Sequence, residues 1–561
     1  MLENKILQVV NDNAGEILKK RNLHFEFNLQ KVEDIYLHSN LKYEAKANGD
    51  INLVRALLFL AISILIIAWI NYINLTVAQS LEKAKETGIR LVHGASKAEI
   101  CVHTLTESIV INLVALFFGT IIIILAIPYL HNFVGKDLSH GMSIHLGVIF
   151  MGIFLLGTVI SGLYPALIMT SLNNRDILQG KFKYSRKGIV SRKIFLGFQF
   201  SASIAIIVVT LFVYKQINFM KSYNKGFNSD QVICIDNISS VKANVNRENF
   251  KSEMLTFPQV LKVTKAKTLP GNDVYLKELI KRSDSDDSFN KIFEVMVADV
   301  DYIDVFQFKI IEGRKFSTQF PTDKQCVILN EEAIKYLNYK NPGDAIEKEI
   351  KYRQKNYKII GVIKNFNQLP LNYSIQPFAY FLGSQGFYAI RVKTSNMKEC
   401  LSIIDKTVKK YFEGSFKYYF IDDIYTQRYQ NETMFGQLFT FFSIVLILIS
   451  SIGLFGLTTY LSHQRRKEMA IHMVNGAKRW KIFWLMTSYF MVIIIISFCI
   501  ICPIVLYAMQ KWLQNFAYKT DLSWWVFALA GSVALIIALL TVSWQSWKAA
   551  TRNPVEALKY E

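Results

Sequence analysis

The chain has 561 residues, 52% hydrophobic and 19% charged, with a formal net charge of +20. It is too apolar for a disordered chain and too poor in charge for an ordinary soluble protein. Six cysteines rule out a disulfide scaffold, and ten prolines with 27 glycines rule out collagen-like or low-complexity architecture.

Residues 1–50 are polar, and MLENKILQVVNDNAGEILKK lacks the apolar segment of a signal peptide. Beyond them the apolar residues gather in seven stretches: 53–79, 107–130, 146–170, 194–214, 435–460, 484–509 and 524–546. Each can cross a hydrocarbon core, which takes about 20 residues. The segment ALLFLAISILIIAWI (56–70) carries no charge, whereas a soluble helix of that length would show polar residues at helical spacing. The excess positive charge is therefore that of a membrane protein, and no nucleic-acid partner is expected.

Between the fourth and fifth stretches the character changes. Strand-like runs (QVICIDN, KIIGVIKNF, FYAIRVKT) alternate with turn signals such as Pro270-Gly271 and Asn341-Pro342-Gly343. This segment, 215–434, reads as an α+β domain large enough for its own core. The expected fold is an α-helical polytopic membrane protein with about seven transmembrane helices and one large extracytoplasmic domain.

Lysine and arginine set the orientation, because short loops rich in them stay in the cytoplasm. The 80–106 loop carries four, the 171–193 loop seven and the 461–482 loop six. The 131–145 loop has Lys136 alone, and 510–523 has Lys511 and Lys519. The bias places 215–434 outside and the C-terminus inside. Seven spans then put residues 1–50 outside, without a signal to carry them there. The plainest reading is that residues 1–50 end an outer domain whose leading span lies upstream of Met1, in a chain truncated at its N-terminus.

An internal repeat supports that reading. KETGIRLVHGASKAEI (85–100) and KEMAIHMVNGAKRWKI (467–482) align at an offset of 382. Lys85, Glu86, Ile89, Val92, Gly94, Ala95 and Ile100 match Lys467, Glu468, Ile471, Val474, Gly476, Ala477 and Ile482. RDILQGK (175–181) and VEALKYE (555–561) close the two halves. The expected organisation is a remnant outer domain at 1–50, a three-span module at 51–193, a span opening the second repeat at 194–214, the outer domain at 215–434 and a second three-span module at 435–561.

Within each repeated segment the Ile and Val lie three residues apart, on one helix face. The glycine then ends the helix in a left-handed cap, and a second helix starts near Ser96 or Lys478. The product is an elbow at the membrane surface with an apolar stripe and a basic flank. A connecting loop that only fixes topology has the same composition, but the same spacing twice favours docking of a cytoplasmic partner.

These segments resemble the signature cytoplasmic segments of FtsX-like/MacB-like ABC transporter permeases, in the two-repeat form of Bacteroidota-type bacteria. NPVEALKYE (553–561) is similar to that family's C-terminal end. VADVDYIDVFQFKIIEGRKFS (297–317), VILNEEAIKYL (327–337) and IIGVIKNFNQLPLNYSIQP (359–377) resemble its periplasmic core domain. Ala470-Ile471-His472 departs from the usual Gly-Ile-Arg, and LQGK lacks the family's preceding proline. The resemblance implies a bacterial inner-membrane permease without its own motor. A separate, dimeric cytoplasmic ABC ATPase would press on Lys85, Glu86, Ile89, Val92, Gly94, Ala95, Lys467, Glu468, Ile471, Val474, Gly476 and Ala477. The spans would relay the push outward for export, extraction or mechanotransmission, with a periplasmic adaptor or substrate as further partner. The chain has no G-x-x-x-x-G-K-[ST] phosphate loop, in keeping with a separate motor. An ATP-independent envelope scaffold and an inactive truncated fragment are the alternatives.

No catalytic, cofactor-binding or metal-ligating constellation is expected. Cys499 and Cys502 read as packing residues in a span, and His93, His103, His463 and His472 as surface histidines. Asp299, Asp301 and Asp304 lack the glycine and final glutamate of a calcium loop and read as a solvated face. Trp524, Trp525, Trp544 and Trp547 fit interface anchors, and Arg55 sits where it can snorkel. Asn71 and Asn74, with Gly453 and Gly456, read as ordinary helix packing.

Overall fold

The computed structural model describes residues 2–20, 26–39, 49, 51–82, 86, 89–90, 93–134, 144–170, 186–235, 243–284, 291–384, 386–412, 417–464 and 466–551. Helices α1 (Leu2–Lys20) and α2 (Val32–His38) precede four long ones: α3 (Ile51–Glu82), α4 (Lys97–Val134), α5 (Ile144–Thr170) and α6 (Arg186–Ser222). The β-rich stretch begins with β1 (Val232–Ile235), α7 (Ala243–Met254), β2 (Val260–Ala266), β3 (Lys277–Arg282) and β4 (Lys291–Ala298). It goes on through α8 (Tyr302–Phe306), β5 (Ile310–Gly313), β6 (Cys326–Asn330), α9 (Glu331–Tyr336) and α10 (Pro342–Ala345). Strands β7 (Glu349–Tyr352), β8 (Lys355–Ile363), β9 (Phe378–Leu382) and β10 (Phe387–Val392) follow, then α11 (Met397–Tyr411), β11 (Tyr418–Phe420) and α12 (Ile421–Arg428). The chain closes with α13 (Gln430–Gln464), α14 (Arg466–Val474), α15 (Arg479–Leu513) and α16 (Trp524–Ala550).

Two compact units result. One holds residues 1–51, 217–431 and 514–520, and the other 52–216, 432–513 and 521–561.

In the first unit the strands run β11-β1-β10-β2-β4-β3-β7-β8-β6-β9, and β9 returns to pair in parallel with β4. Six strands, from β4 round to β9, thereby close on themselves and remove their own edges. Phe293, Val295, Val327, Leu329, Ile359 and Phe381 are among the side chains packed together there. The β11-β1-β10-β2 stretch is instead covered by α7 and α11, whose Phe250, Met254, Ile404 and Val408 pack on Ile233, Val263 and Ile390. This is the α+β domain expected from sequence, with one difference in its strands. β1 is buried at every residue, as are Ile359–Ile363 of β8 and Tyr388–Val392 of β10. These segments have protein on both faces, so the one-sided alternation of a solvated sheet does not apply.

Two local expectations shift. Asn341-Pro342-Gly343 opens the one-turn helix α10, with Asp344 accepting from the Asn341 backbone at 3.1 Å. The aspartates 299, 301 and 304 are not a solvated face. Lys251 lies 2.6 Å from both Asp299 and Asp301, and Lys315 lies 2.8 Å from Asp304. Burial raises the Asp301 carboxyl, but Lys251 and Lys262 together outweigh it and the net shift is downward.

The second unit holds helices long and apolar enough to span a membrane, seven of them among the described residues. They stand where hydropathy placed them and extend a turn or more at most ends. Pro128, Pro165 and Pro503 lie inside α4, α5 and α15, which neighbouring helices in a bilayer tolerate. Helix α6 packs with α13, α15 and α16 through Phe200, Ile204, Phe212, Leu454, Phe490 and Val526 among others. Polar pairs add to that contact: Gln199 donates to the Ser450 carbonyl at 2.8 Å, and Thr210 meets Ser443 at 2.8 Å. Trp524 and Trp544 are largely exposed at the two ends of α16, as interface anchors would be.

Helix α3 packs against α13. Leu60, Ile64 and Ile67 cluster with Phe442, Leu446 and Ile449. Asn71 donates to the Ile449 carbonyl at 2.7 Å. A Cβ on Gly453 would overlap the Asn71 amide, and one on Gly456 would overlap Leu75. Of the asparagines and glycines singled out in the sequence, Asn71 and Gly453 are therefore direct partners, whereas Gly456 meets Leu75.

Candidate functional site

Elbow two joins α13 to α15. Helix α14 ends at Val474, and Gly476 follows at φ +82°, a conformation costly for any residue with a Cβ. The Ala477 N–H donates to the His472 carbonyl at 2.9 Å and the Gly476 N–H to the Met473 carbonyl at 3.0 Å. This pair of bonds is the Schellman closure, which satisfies carbonyls a helix end would leave bare. Met469 faces inward and is buried with Ile482 and Met486, which holds α14 on α15. Ile471 and Val474 project outward, 53% and 66% exposed. Trp480 and Trp484 continue this exposed apolar surface, with Trp480 stacked on Phe483 at 5.0 Å.

Elbow one shares the glycine turn in its described residues. Gly94 has φ +97°, and the Ala95 N–H donates to the Arg90 carbonyl at 3.0 Å. The His93 N–H donates to the Ile89 carbonyl at 3.0 Å, as Asn475 does to Ile471. Ile89 is exposed, and Ile100 is buried like its counterpart Ile482. Glu86 pairs with Arg90 at 2.7 Å, one helical turn on. Ser96 and Glu99 exchange hydrogen bonds of 3.2 Å each, a capping box that starts α4. A Cβ at either glycine would meet nothing within 4 Å, so backbone conformation alone selects glycine there.

Of the candidate residues, Glu86, Ile89, Gly94 and Ala95 come together in elbow one, and Glu468, Ile471, Val474, Gly476 and Ala477 in elbow two. Lys85 and Val92 lie outside the described residues, as do the Lys467 side chain, the His463 side chain, RDILQGK and VEALKYE. His93, His103 and His472 are exposed. Arg192, from the basic 171–193 loop, is buried with its guanidinium 5.0 Å from the Tyr460 ring.

One feature of elbow one escapes the motif reading. A cleft of about 800 Å³ lies beside it, lined by Tyr72, Glu86, His93, His103, Thr104 and Glu107 among others. At the 382 offset, His103, Thr104 and Glu107 correspond to Leu485, Met486 and Tyr489. Met486 is buried under Met469 at elbow two, whereas Thr104 opens onto the cleft. Aligning α4 with α15 position by position, beyond the matched motif, exposes this difference.

The family model described as FtsX-like permease C-terminal matches twice, over residues 58–174 and 440–554. Comparison with curated proteins gives no match. Among solved structures, the chain is similar to the periplasmic region of MacB from Actinobacillus actinomycetemcomitans, at 15% identity and TM-score 0.27, over 37% of this chain and 97% of that one. It is also similar to the extracellular domain of the noncanonic ABC-type transporter YknZ from Gram-positive bacteria, at 12% identity and TM-score 0.25, over 34% and 99%. A domain of a putative permease protein from Porphyromonas gingivalis aligns at 17% identity and TM-score 0.25, over 34% and 90%.

Proposed function

The chain belongs to the FtsX-like permease family through both of its membrane modules, and on that premise we propose that it couples a separate cytoplasmic ATPase to work done outside the membrane. The observation that carries the proposal is the duplicated elbow. Each elbow has a left-handed glycine turn and an isoleucine facing outward, and at elbow two the turn holds the short helix α14 against the spanning helix α15. A push on Ile89 or Ile471 is passed to α4 or α15 through a turn that has its hydrogen bonds satisfied and resists bending. The lysine and arginine bias supports elbows and C-terminus in the cytoplasm and the β-rich unit in the periplasm. The work done there is export, extraction or mechanotransmission on a periplasmic adaptor or substrate.

Both elbows reside in one polypeptide, and α3 and α13 meet through residues related by the 382 offset. One permease chain therefore serves one ATPase dimer, with one elbow for each ATPase subunit. The test is affinity purification of the full chain in mild detergent, with ATP hydrolysis measured on the eluate. The wild-type chain brings down an ATPase. The variant I89E/I471E, altered at two exposed positions, melts at the wild-type temperature and brings down none. Retention of the ATPase by that variant overturns the proposal, and absence of ATPase from the wild-type eluate favours the ATP-independent scaffold.

A further inference from the structure

The seam between α3 and α13 is two-fold in position but not in composition. Where two related helices cross their axis, each residue near the axis meets its own counterpart. Leu60 and Phe442, Ile64 and Leu446, and Ile67 and Ile449 are counterparts at an offset of 382, and all six lie in one cluster along the seam. The next pair is Asn71 and Gly453, where the symmetry of composition fails. The Asn71 amide fills the space that Gly453 leaves and donates to the Ile449 carbonyl. One turn further on, Leu75 fills the space over Gly456, whose own counterpart on α3 is the buried Asn74. Both projections belong to α3 and both hollows to α13.

We propose that Asn71 is a pairing determinant that joins module one to module two and keeps each module from pairing with its own kind. Two α13 helices together would set Gly453 against Gly453 and offer the Ile449 carbonyls no amide. Two α3 helices together would set Asn71 against Asn71, with two amides in a space sized for one. A buried polar side chain in a bilayer must keep its partner, and one asparagine in an apolar seam is enough to choose which helices associate. A protein built from two similar modules needs such a choice, because without it like modules of neighbouring chains compete with the pairing of module one to module two.

The test uses full-length chains in mild detergent. G453N places a second amide against Asn71 and lowers the melting midpoint more than N71G, which only empties the space. The exchange N71G/G453N restores the complementary pair in reverse and recovers most of the loss. In parallel, two differently tagged copies are co-expressed. Wild-type and exchanged chains purify with one tag. N71G chains, with glycine on both helices, carry the second tag as well. The proposal is overturned if the exchanged variant melts no higher than G453N. It is equally overturned if N71G chains carry no more of the second tag than wild-type chains.

Discussion

Replacing Gly476 with alanine perturbs elbow two through a single methyl group. The residue sits at φ +82°, where an L side chain costs roughly 1–2 kcal/mol because its Cβ crowds the following carbonyl. The new Cβ meets nothing within 4 Å, so no packing term adds to that cost. The conformational freedom that alanine removes from the open chain returns only part of it. With about 0.5 kcal/mol returned, roughly 0.5–1.5 kcal/mol remains; since 1.4 kcal/mol is a factor of ten, the opening equilibrium of the turn rises about 2- to 12-fold. The Ala477 amide, bonded to the His472 carbonyl, reports this directly. Hydrogen exchange followed by mass spectrometry, on the full chain in lipid nanodiscs, therefore shows peptides spanning 473–477 exchanging faster by that factor in G476A. Asparagine tolerates the left-handed region, so G476N exchanges closer to wild type. G94A gives the same result at elbow one. Unchanged exchange in G476A, or exchange in G476N as fast as in G476A, refutes the turn as the rigid link.

Gly226 provides the contrast: at φ +85° its Cβ would lie 2.6 Å from the Asn365 carbonyl oxygen and 2.8 Å from Phe366 Cα. G226A therefore destabilises the β-rich unit well beyond the conformational cost alone, read as a lower melting midpoint by intrinsic fluorescence. A second prediction concerns acid. Arg314 holds the Asp323 carboxyl below the usual carboxylate range, helped by the Ser317 N–H and opposed by burial. The unfolded chain then binds the proton more readily, so this pair's stabilisation is full above about pH 4 and is lost as the pH falls through the folded-state value. Between pH 6 and pH 3 the melting midpoint of wild type falls more steeply than that of D323N, and parallel slopes contradict the assignment.

Much of the molecule was legible because the bilayer enforces long uninterrupted apolar helices, and hydropathy finds those without help. The elbows were legible for a different reason: a left-handed cap selects glycine, and Gly94 and Gly476 stand at the same place in two copies. What stayed hidden depends on partners distant in sequence. The strand run VICI cannot announce that it is buried at every residue, because its partner strand β10 and part of its cover, α11, lie more than a hundred residues away. Asp299, Asp301 and Asp304 looked solvated because Lys251, which pairs with two of them, comes from α7. Asn71 and Gly453 stood out together, with Asn74 and Gly456, as packing residues of two spans. Their contact became visible only when α3 was set against α13, although the 382 offset already paired their numbers.

The central claim is that the two elbows face the cytoplasm and take a push from an ATPase. A photo-crosslinking amino acid placed in turn at Ile89 and Ile471, both exposed, tests it in intact cells. After irradiation, mass spectrometry of the adducts is predicted to identify a polypeptide with a nucleotide-binding domain at both positions. Adducts only with lipid or with envelope proteins of the outer side would contradict the account.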